Sequence, residues 1–267
     1  MQNGDIVTRI SYHHDTQFRI EDIKNKQARL CGLEYRLAAD AAISDLELAR
    51  SLTEPSNKQH CLVSTNIQVP LFLNEKSLGN NYIAKILHID GNRFYLKECI
   101  TLYKRLGIPV IGYPVNEEKQ PRNIMNLLNQ HKPNIVVITG HDSVSKSQST
   151  SKNLNSYLNS KYFLESIRIA RNYSRNYDDL VIIAGGCKSY YEALMEAGAN
   201  FASSPDRVMI NVTEPVLIAC KVAITSVTEY LSMESIAENL PSGLSGFGGI
   251  ETRGQCRRLA PSPYQKK

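Results

Sequence analysis

Apolar residues run without alternation through Ile135-Val136-Val137-Ile138-Thr139-Gly140 and again through Leu180-Val181-Ile182-Ile183-Ala184-Gly185-Gly186. Such β-branched runs suit strands buried on both faces of a parallel sheet. Ile83-Ala84-Lys85-Ile86-Leu87-His88-Ile89, ending at Asp90-Gly91-Asn92, and Ile108-Pro109-Val110-Ile111-Gly112-Tyr113 read as two more strands, and Ala199 to Ser203 as a short one. Between them the period lengthens to that of helices: Phe94 to Arg105, Gln120 to Gln130 with Pro121 at a favoured early position, and Ser160 to Tyr173 with Phe163, Ile167 and Ala170 on one face. Two more helices are expected, from Ser189 to Ala197, stopped by Gly198, and from Pro215 to about Tyr230. Strands alternating with helices, without hairpin signals, predict a three-layer α/β domain with a mostly parallel sheet over residues 81–235.

The N-terminal pattern differs. Gly4 to Tyr12 and Gln17 to Ile20 are β-prone segments around a polar His13-His14-Asp15 turn, and Ala28 to Leu37 reads as a strand pair bent at Gly32. Residues 1–50 are therefore expected to form a small β-rich unit of the SH3-like type. Residues 51–80, polar and aperiodic from Ser51 to Asn66, read as a linker. The polar stretch from Ser143 to Ser156 is too long for an ordinary strand-to-helix connection and is expected to be a functional or mobile loop. Residues 236–267, rich in Gly and Pro from Leu240 onward, are expected to be a flexible tail.

Composition narrows the classes. The 267 residues, 42% of them hydrophobic, suffice for one large domain and a small one. No apolar run approaches the roughly 18 residues of a spanning helix, and Met1-Gln2-Asn3-Gly4-Asp5 does not open a secretory leader. No membrane association is expected. Cys31, Cys61, Cys99, Cys187, Cys220 and Cys256 are scattered, with no C-x-x-C pair, as in a reduced cytosolic chain. His13-His14 and His60-Cys61 lack partners at ligand spacing, so neither a metal nor another cofactor is expected. The net charge of +5, from 31 Lys+Arg against 26 Asp+Glu, forms no basic stripe interleaved with aromatics, which argues against a nucleic-acid partner.

The chemistry lies where the two strongest apolar runs end. One delivers His141-Asp142 and the other Cys187-Lys188-Ser189. Residues just past the carboxyl ends of parallel strands gather in one crevice, where an imidazole and a thiol can act as base and nucleophile. Gly185-Gly186 permits a tight backbone before Cys187. A helix beginning at Ser189, together with the Lys188 charge, would favour the thiolate. Gly140, Asp142, Gly186 and Lys188 are the backbone positions around a developing oxyanion. Asp142 is also a candidate to orient the imidazole or bind substrate. The other reading is plain: a lone Cys or His after a strand is commonly core filling, and only their joint placement argues for catalysis.

This pattern is similar to that of caspase-like cysteine peptidases, in which the histidine lies about 50 residues before a Q-A-C-[RQG]-G segment. Here the interval is 46, from His141 to Cys187, and Asp142 stands where that wider group has Gly. A fuller resemblance is to the YabG family of sporulation-specific proteases of spore-forming Firmicutes. It rests on Leu87-His88-Ile89-Asp90-Gly91, Thr139-Gly140-His141-Asp142, Ala184-Gly185-Gly186-Cys187-Lys188-Ser189 and Glu196 to Pro205, with Gly4-Asp5-Ile6-Val7 and Leu37 to Ala41 near the N-terminus. The departure is Gly186 and Lys188 around Cys187, where the family is expected to have Ala and Gln. The resemblance implies a caspase-like or flavodoxin-like sheet and a cysteine endopeptidase acting on spore coat, cortex or germination proteins. It implies His141 as base and Cys187 as nucleophile. It also implies a cytoplasmic location in the sporulating cell, followed by association with the forming spore or its coat. Cleavage after a basic residue is expected, with Asp142, Asp206 and Glu214 as candidate pocket acids. The oligomeric state is left open.

Three rival readings are weaker. An amidase or glutamine-amidotransferase-like hydrolase would place its histidine after the nucleophile, yet all six His precede Cys187. A phosphate-binding loop at Gly186-Cys187-Lys188-Ser189 fails because Cys187 and Ile182 occupy the required glycine positions. A non-catalytic structural spore protein on a flavodoxin-like sheet would need no reactive thiol at Cys187.

Overall fold

The computed structural model describes residues 1–49, 81–144 and 153–259. Two compact units divide the chain, Met1–Gln68 and Val69–Lys267. The expected linker over 51–80 lies outside the described residues, as do residues 145–152 of the expected loop and 260–267 of the expected tail.

In the first unit β1 (Ile6–Arg9), β2 (Gln17–Lys24), β3 (Gln27–Gly32), β4 (Ala38–Ala42) and β5 (Leu46–Leu48) form an antiparallel sheet in the order β4-β3-β2-β1-β5. Period-two alternation sends Val7, Phe18, Ile20, Ala28 and Leu30 to one core with Leu46. Asn25 and Lys26, both at positive φ, make the tight turn between β2 and β3. Of the strand pair expected over Ala28 to Leu37, only the first strand forms, as β3 ending at Gly32, and Leu33 to Leu37 form the connection to β4.

The second unit holds β6 (Asn81–Tyr82), β7 (Ile86–Asp90), α1 (Arg93–Arg105), β8 (Val110–Pro114), α2 (Gln120–His131), β9 (Ile135–Thr139), α3 (Ser160–Tyr173) and β10 (Val181–Gly185). It continues through α4 (Tyr191–Glu196), β11 (Phe201–Ser203), α5 (Glu214–Ile224), β12 (Tyr230–Leu231), α6 (Met233–Ala237), α7 (Gly243–Gly246), β13 (Phe247–Gly249), β14 (Thr252–Arg253) and β15 (Arg257–Arg258). The main sheet has the order β13-β11-β10-β9-β7-β8. Its five strands from β11 to β8 are parallel, and β13 is antiparallel to β11.

Every residue of β7, β9 and β10 is buried, as continuous apolar runs require. Leu87, Ile89, Val136, Ile138 and Ile182 pack on one face against Ile124 and Leu128 of α2, Phe163 and Ile167 of α3, and Leu194 of α4. On the other face α1 meets β7 and β8, and α5 meets β9 and β10. The molecule is thus mixed α/β, with helices on both faces of a mostly parallel sheet. Each buried Leu, Ile, Val or Phe contributes about 1.5–3 kcal/mol, so the three central strands are held firmly and their ends are fixed points.

Several boundaries move. The helix expected from Ser189 begins at Tyr191, because Ser189 turns its hydroxyl back to accept from the Gly186 amide at 2.9 Å. The helix expected to reach Tyr230 ends at Ile224, where Thr225 is extended. The region expected as a flexible tail, 236–267, supplies α7, β13, β14 and β15, and β13 joins the edge of the main sheet. Among the described residues no helix is long and apolar enough to cross a membrane.

Candidate active site

Strand register brings the candidate residues level. Thr139 of β9 pairs with Gly185 of β10 on one side and with Asp90 of β7 on the other. Three glycines follow, Gly91, Gly140 and Gly186, and then Asn92, His141 and Cys187, each two residues past the end of its strand. The glycines allow close approach. A Cβ on Gly186 would stand 2.5 Å from the Gly140 oxygen, and one on Gly140 would land on the Glu117 carboxylate. A larger residue at Gly186 would push the two loops apart, and one at Gly140 would displace the Glu117 side chain.

The His141 backbone is held from two directions. Its amide donates to Glu117 Oε1 at 2.7 Å, and its carbonyl accepts from Asn159 Nδ2 at 2.8 Å. Its ring lies 5.1 Å from the Tyr95 ring, centroid to centroid, and its Nε2 is 3.2 Å from Asn92 Nδ2.

Cys187 leaves the neighbouring strand and is 2% exposed. The Ile210 amide donates to its sulfur at 3.3 Å, and the thiol faces the Ile210 carbonyl at 3.8 Å. The stretch after β11 therefore lies over the sulfur. Lys188, at φ 56°, donates its amide to Val208 O at 3.1 Å and to Ser204 Oγ at 3.0 Å. The amide expected to face a developing oxyanion is thus engaged by the covering stretch. The expected helix N-terminus at Ser189 is not formed, since α4 starts two residues later.

The candidate acids separate clearly. Asp142 is buried, and its carboxylate accepts from the Ser143 and Asn159 amides at 2.9 and 2.8 Å, from Ser189 Oγ at 2.9 Å, and from Ser160 Oγ. It pins the end of β9 to the start of α3 and to the Cys187-Lys188-Ser189 turn. Burial pushes its carboxyl above the ordinary aspartate range, against the opposing pull of those hydrogen bonds. Glu214 is fully buried and accepts from the Asn211 amide at 2.8 Å and from the Ser242 amide and hydroxyl at 2.7 and 2.6 Å. Both are structural pins with their acceptor capacity used inside the chain. Asp206 is exposed, in the same stretch that carries Ile210 over the sulfur.

Two residues of the site went unnoticed in sequence. Asn92 ends a third apolar run, but its contact with His141 is tertiary. Glu117 sits in the polar turn Asn116-Glu117-Glu118-Lys119 and gave no signal. Among the described residues no group of three His, Cys, Asp or Glu side chains could hold a metal ion.

Comparison with known proteins supplies the context for this geometry. The family model described as YabG peptidase U57 matches residues 2–261. The chain is 38% identical over 279 residues to the sporulation-specific protease YabG of Bacillus subtilis (strain 168), covering 96% of each chain. No solved structure gives a match.

Proposed function

The chain belongs to the YabG peptidase family and is a protease, and on that footing we propose that it is a cysteine endopeptidase of sporulation with Cys187 as nucleophile and His141 as its proton partner. The observation that carries this reading is the register of β9 and β10, which pairs Thr139 with Gly185 and so starts both residues from the same sheet edge. The caspase-like character of the sheet belongs to the same proposal, as does the SH3-like character of the N-terminal unit.

In the proposed cycle the Cys187 sulfur attacks the scissile carbonyl carbon and the peptide C–N bond breaks. The proton lost by the thiol passes by way of His141 to the leaving nitrogen. Water then hydrolyses the thioester and returns the thiol. An N–H aimed at sulfur supports negative charge there, which is the part the Ile210 amide plays at rest. A peptide reaches the sulfur when the stretch from Ser204 to Val212 lifts, and the same movement releases the Lys188 amide for the oxyanion.

The substrates in this reading are spore coat, cortex or germination proteins, cut after basic residues, with the enzyme acting in the sporulating cell and at the forming spore. Asp142 and Glu214 are committed to internal hydrogen bonds, so Asp206 is the acid assigned to receive the basic side chain. Mass spectrometry of new peptide termini in a denatured protein mixture tests this. Wild type should cut after Lys or Arg. Asp206→Asn should lower kcat/KM at those sites roughly 10- to 100-fold, as expected for loss of a charged hydrogen bond of about 1.5–3 kcal/mol. Cuts without a basic residue, or an Asp206→Asn variant with unchanged preference, would remove the assignment.

A further inference from the structure

The stretch that covers Cys187 is tied down by one side chain, Arg207. Its Nε donates to Tyr157 Oη at 2.9 Å, its Nη1 donates to the Ser204 and Pro205 carbonyls at 3.1 and 3.0 Å, and its Nη2 pairs with the Glu192 carboxylate. The Tyr157 and Tyr190 rings stack 4.9 Å apart and 7° from parallel, and the guanidinium carbon lies 5.6 Å from the centre of each. All but 12% of the Arg207 side chain is covered. Its backbone, at φ 56°, and that of Ser204, at φ 67°, hold a conformation that side chains disfavour. Tertiary contacts such as these must therefore keep the stretch closed.

The walls of this box belong to the site, and only its filling belongs to the cover. Tyr190 lies three residues after Cys187, and its amide donates to Ser160 Oγ at 2.8 Å, whose hydroxyl in turn donates to Asp142. Tyr157 bridges to Val144, three residues after His141. Glu192 stands in the first turn of α4 with 61% of its side chain exposed, so a cation arriving from solvent can reach it.

We infer that Tyr157, Tyr190 and Glu192 form a subsite for an arginine side chain of the substrate, filled at rest by the chain's own Arg207. The inference rests on the reading of Cys187 as nucleophile and of Ser204 to Val212 as its cover. Asp206 is assigned the basic residue at the cut, and this box takes a second one elsewhere in the peptide. A ligand shifts an equilibrium only by binding one state better than the other. The box is vacant only when the cover is raised, so a substrate arginine bound there favours the raised state. A peptide without that arginine must displace Arg207 with nothing to take its place.

The test is a set of peptides cut at one basic residue, in which each flanking position in turn carries arginine or its neutral isostere citrulline. Wild type should prefer arginine at one flanking position by about 5- to 10-fold in kcat/KM, between an exposed ion pair and a fully charged hydrogen bond. Glu192→Gln should abolish that preference and leave the one at the cut residue intact. The ratio compares two peptides on one enzyme, so any loosening of the cover cancels from it. Arg207→Ala should keep the preference and speed alkylation of Cys187 by iodoacetamide about 10-fold through a larger open population, with the fully buried Cys220 still unlabelled. A clasp with no substrate role predicts no arginine preference at any flanking position, and that result would overturn the inference. A preference that survives Glu192→Gln, or an unchanged alkylation rate in Arg207→Ala, would overturn it as well. The underlying reading fails separately, through cleavage that persists in Cys187→Ala.

Discussion

Replacing Cys187 by alanine is expected to reduce proteolysis by roughly 10⁴-fold or more, the scale seen when a nucleophile is removed from a catalytic unit. The loss should be chemical rather than structural. The change removes one sulfur from a buried site and the Ile210 N–H···S contact with it, which costs on the order of 1 kcal/mol among typical substitutions. The strands that frame the position are held by their own burial, since all five residues of β10 are covered. The circular dichroism spectrum should therefore match wild type, with the melting temperature lowered by about 2–4 °C, while hydrolysis of a fluorogenic peptide falls to background. Hydrolysis near the wild-type rate would show that another group attacks the peptide bond.

His141→Ala is expected to cost roughly 10³- to 10⁴-fold in kcat, because a thiol without its proton partner neither releases its proton readily nor protonates the leaving nitrogen. The backbone contacts of position 141, to Glu117 and Asn159, do not need the imidazole and should persist. Steady-state kinetics on the same peptide check this. A near-normal rate would require a different base, and the nearest histidine in the sheet is poorly placed for it. His88 is fully buried in β7, with its Nε2 3.0 Å from Thr139 Oγ1 and its ring edge-on to Tyr103.

The parts of the fold that could be read from sequence were those with a single physical cause. Burial on both faces writes an unbroken apolar run, so β7, β9 and β10 and the polar residues at their ends were legible. The 3.6-residue period of Phe163, Ile167 and Ala170 placed α3 at its observed limits, Ser160–Tyr173. Elements decided by tertiary contacts were not legible. Phe247-Gly248-Gly249 carries no strand signal, and it becomes β13 only because β11 offers a free edge to pair with. Ser189 looked like a helix start, and its hydroxyl instead serves the Gly186 amide and the Asp142 carboxylate.

The same distinction holds within the site. Strand ends are readable, so His141 and Cys187 could be singled out. The partners of a carboxylate are not, so Asp142 and Glu214 looked like pocket acids when they are internal pins. Asn92, whose side chain caps α1, illustrates the limit from the other side: a helix cap can be read locally, but which ring lies beside it depends on the neighbouring strand.

Alkylation by a peptidyl chloromethyl ketone ending in arginine tests the central assignment most directly. The reagent should add to the Cys187 sulfur, with chloride leaving, in step with loss of proteolysis, and mass spectrometry of the digested adduct should find the label there. Cys220, fully buried and with its thiol pushed up by that burial, should remain unlabelled in the folded protein. A label on another residue, or full inactivation with Cys187 unmodified, would contradict the account.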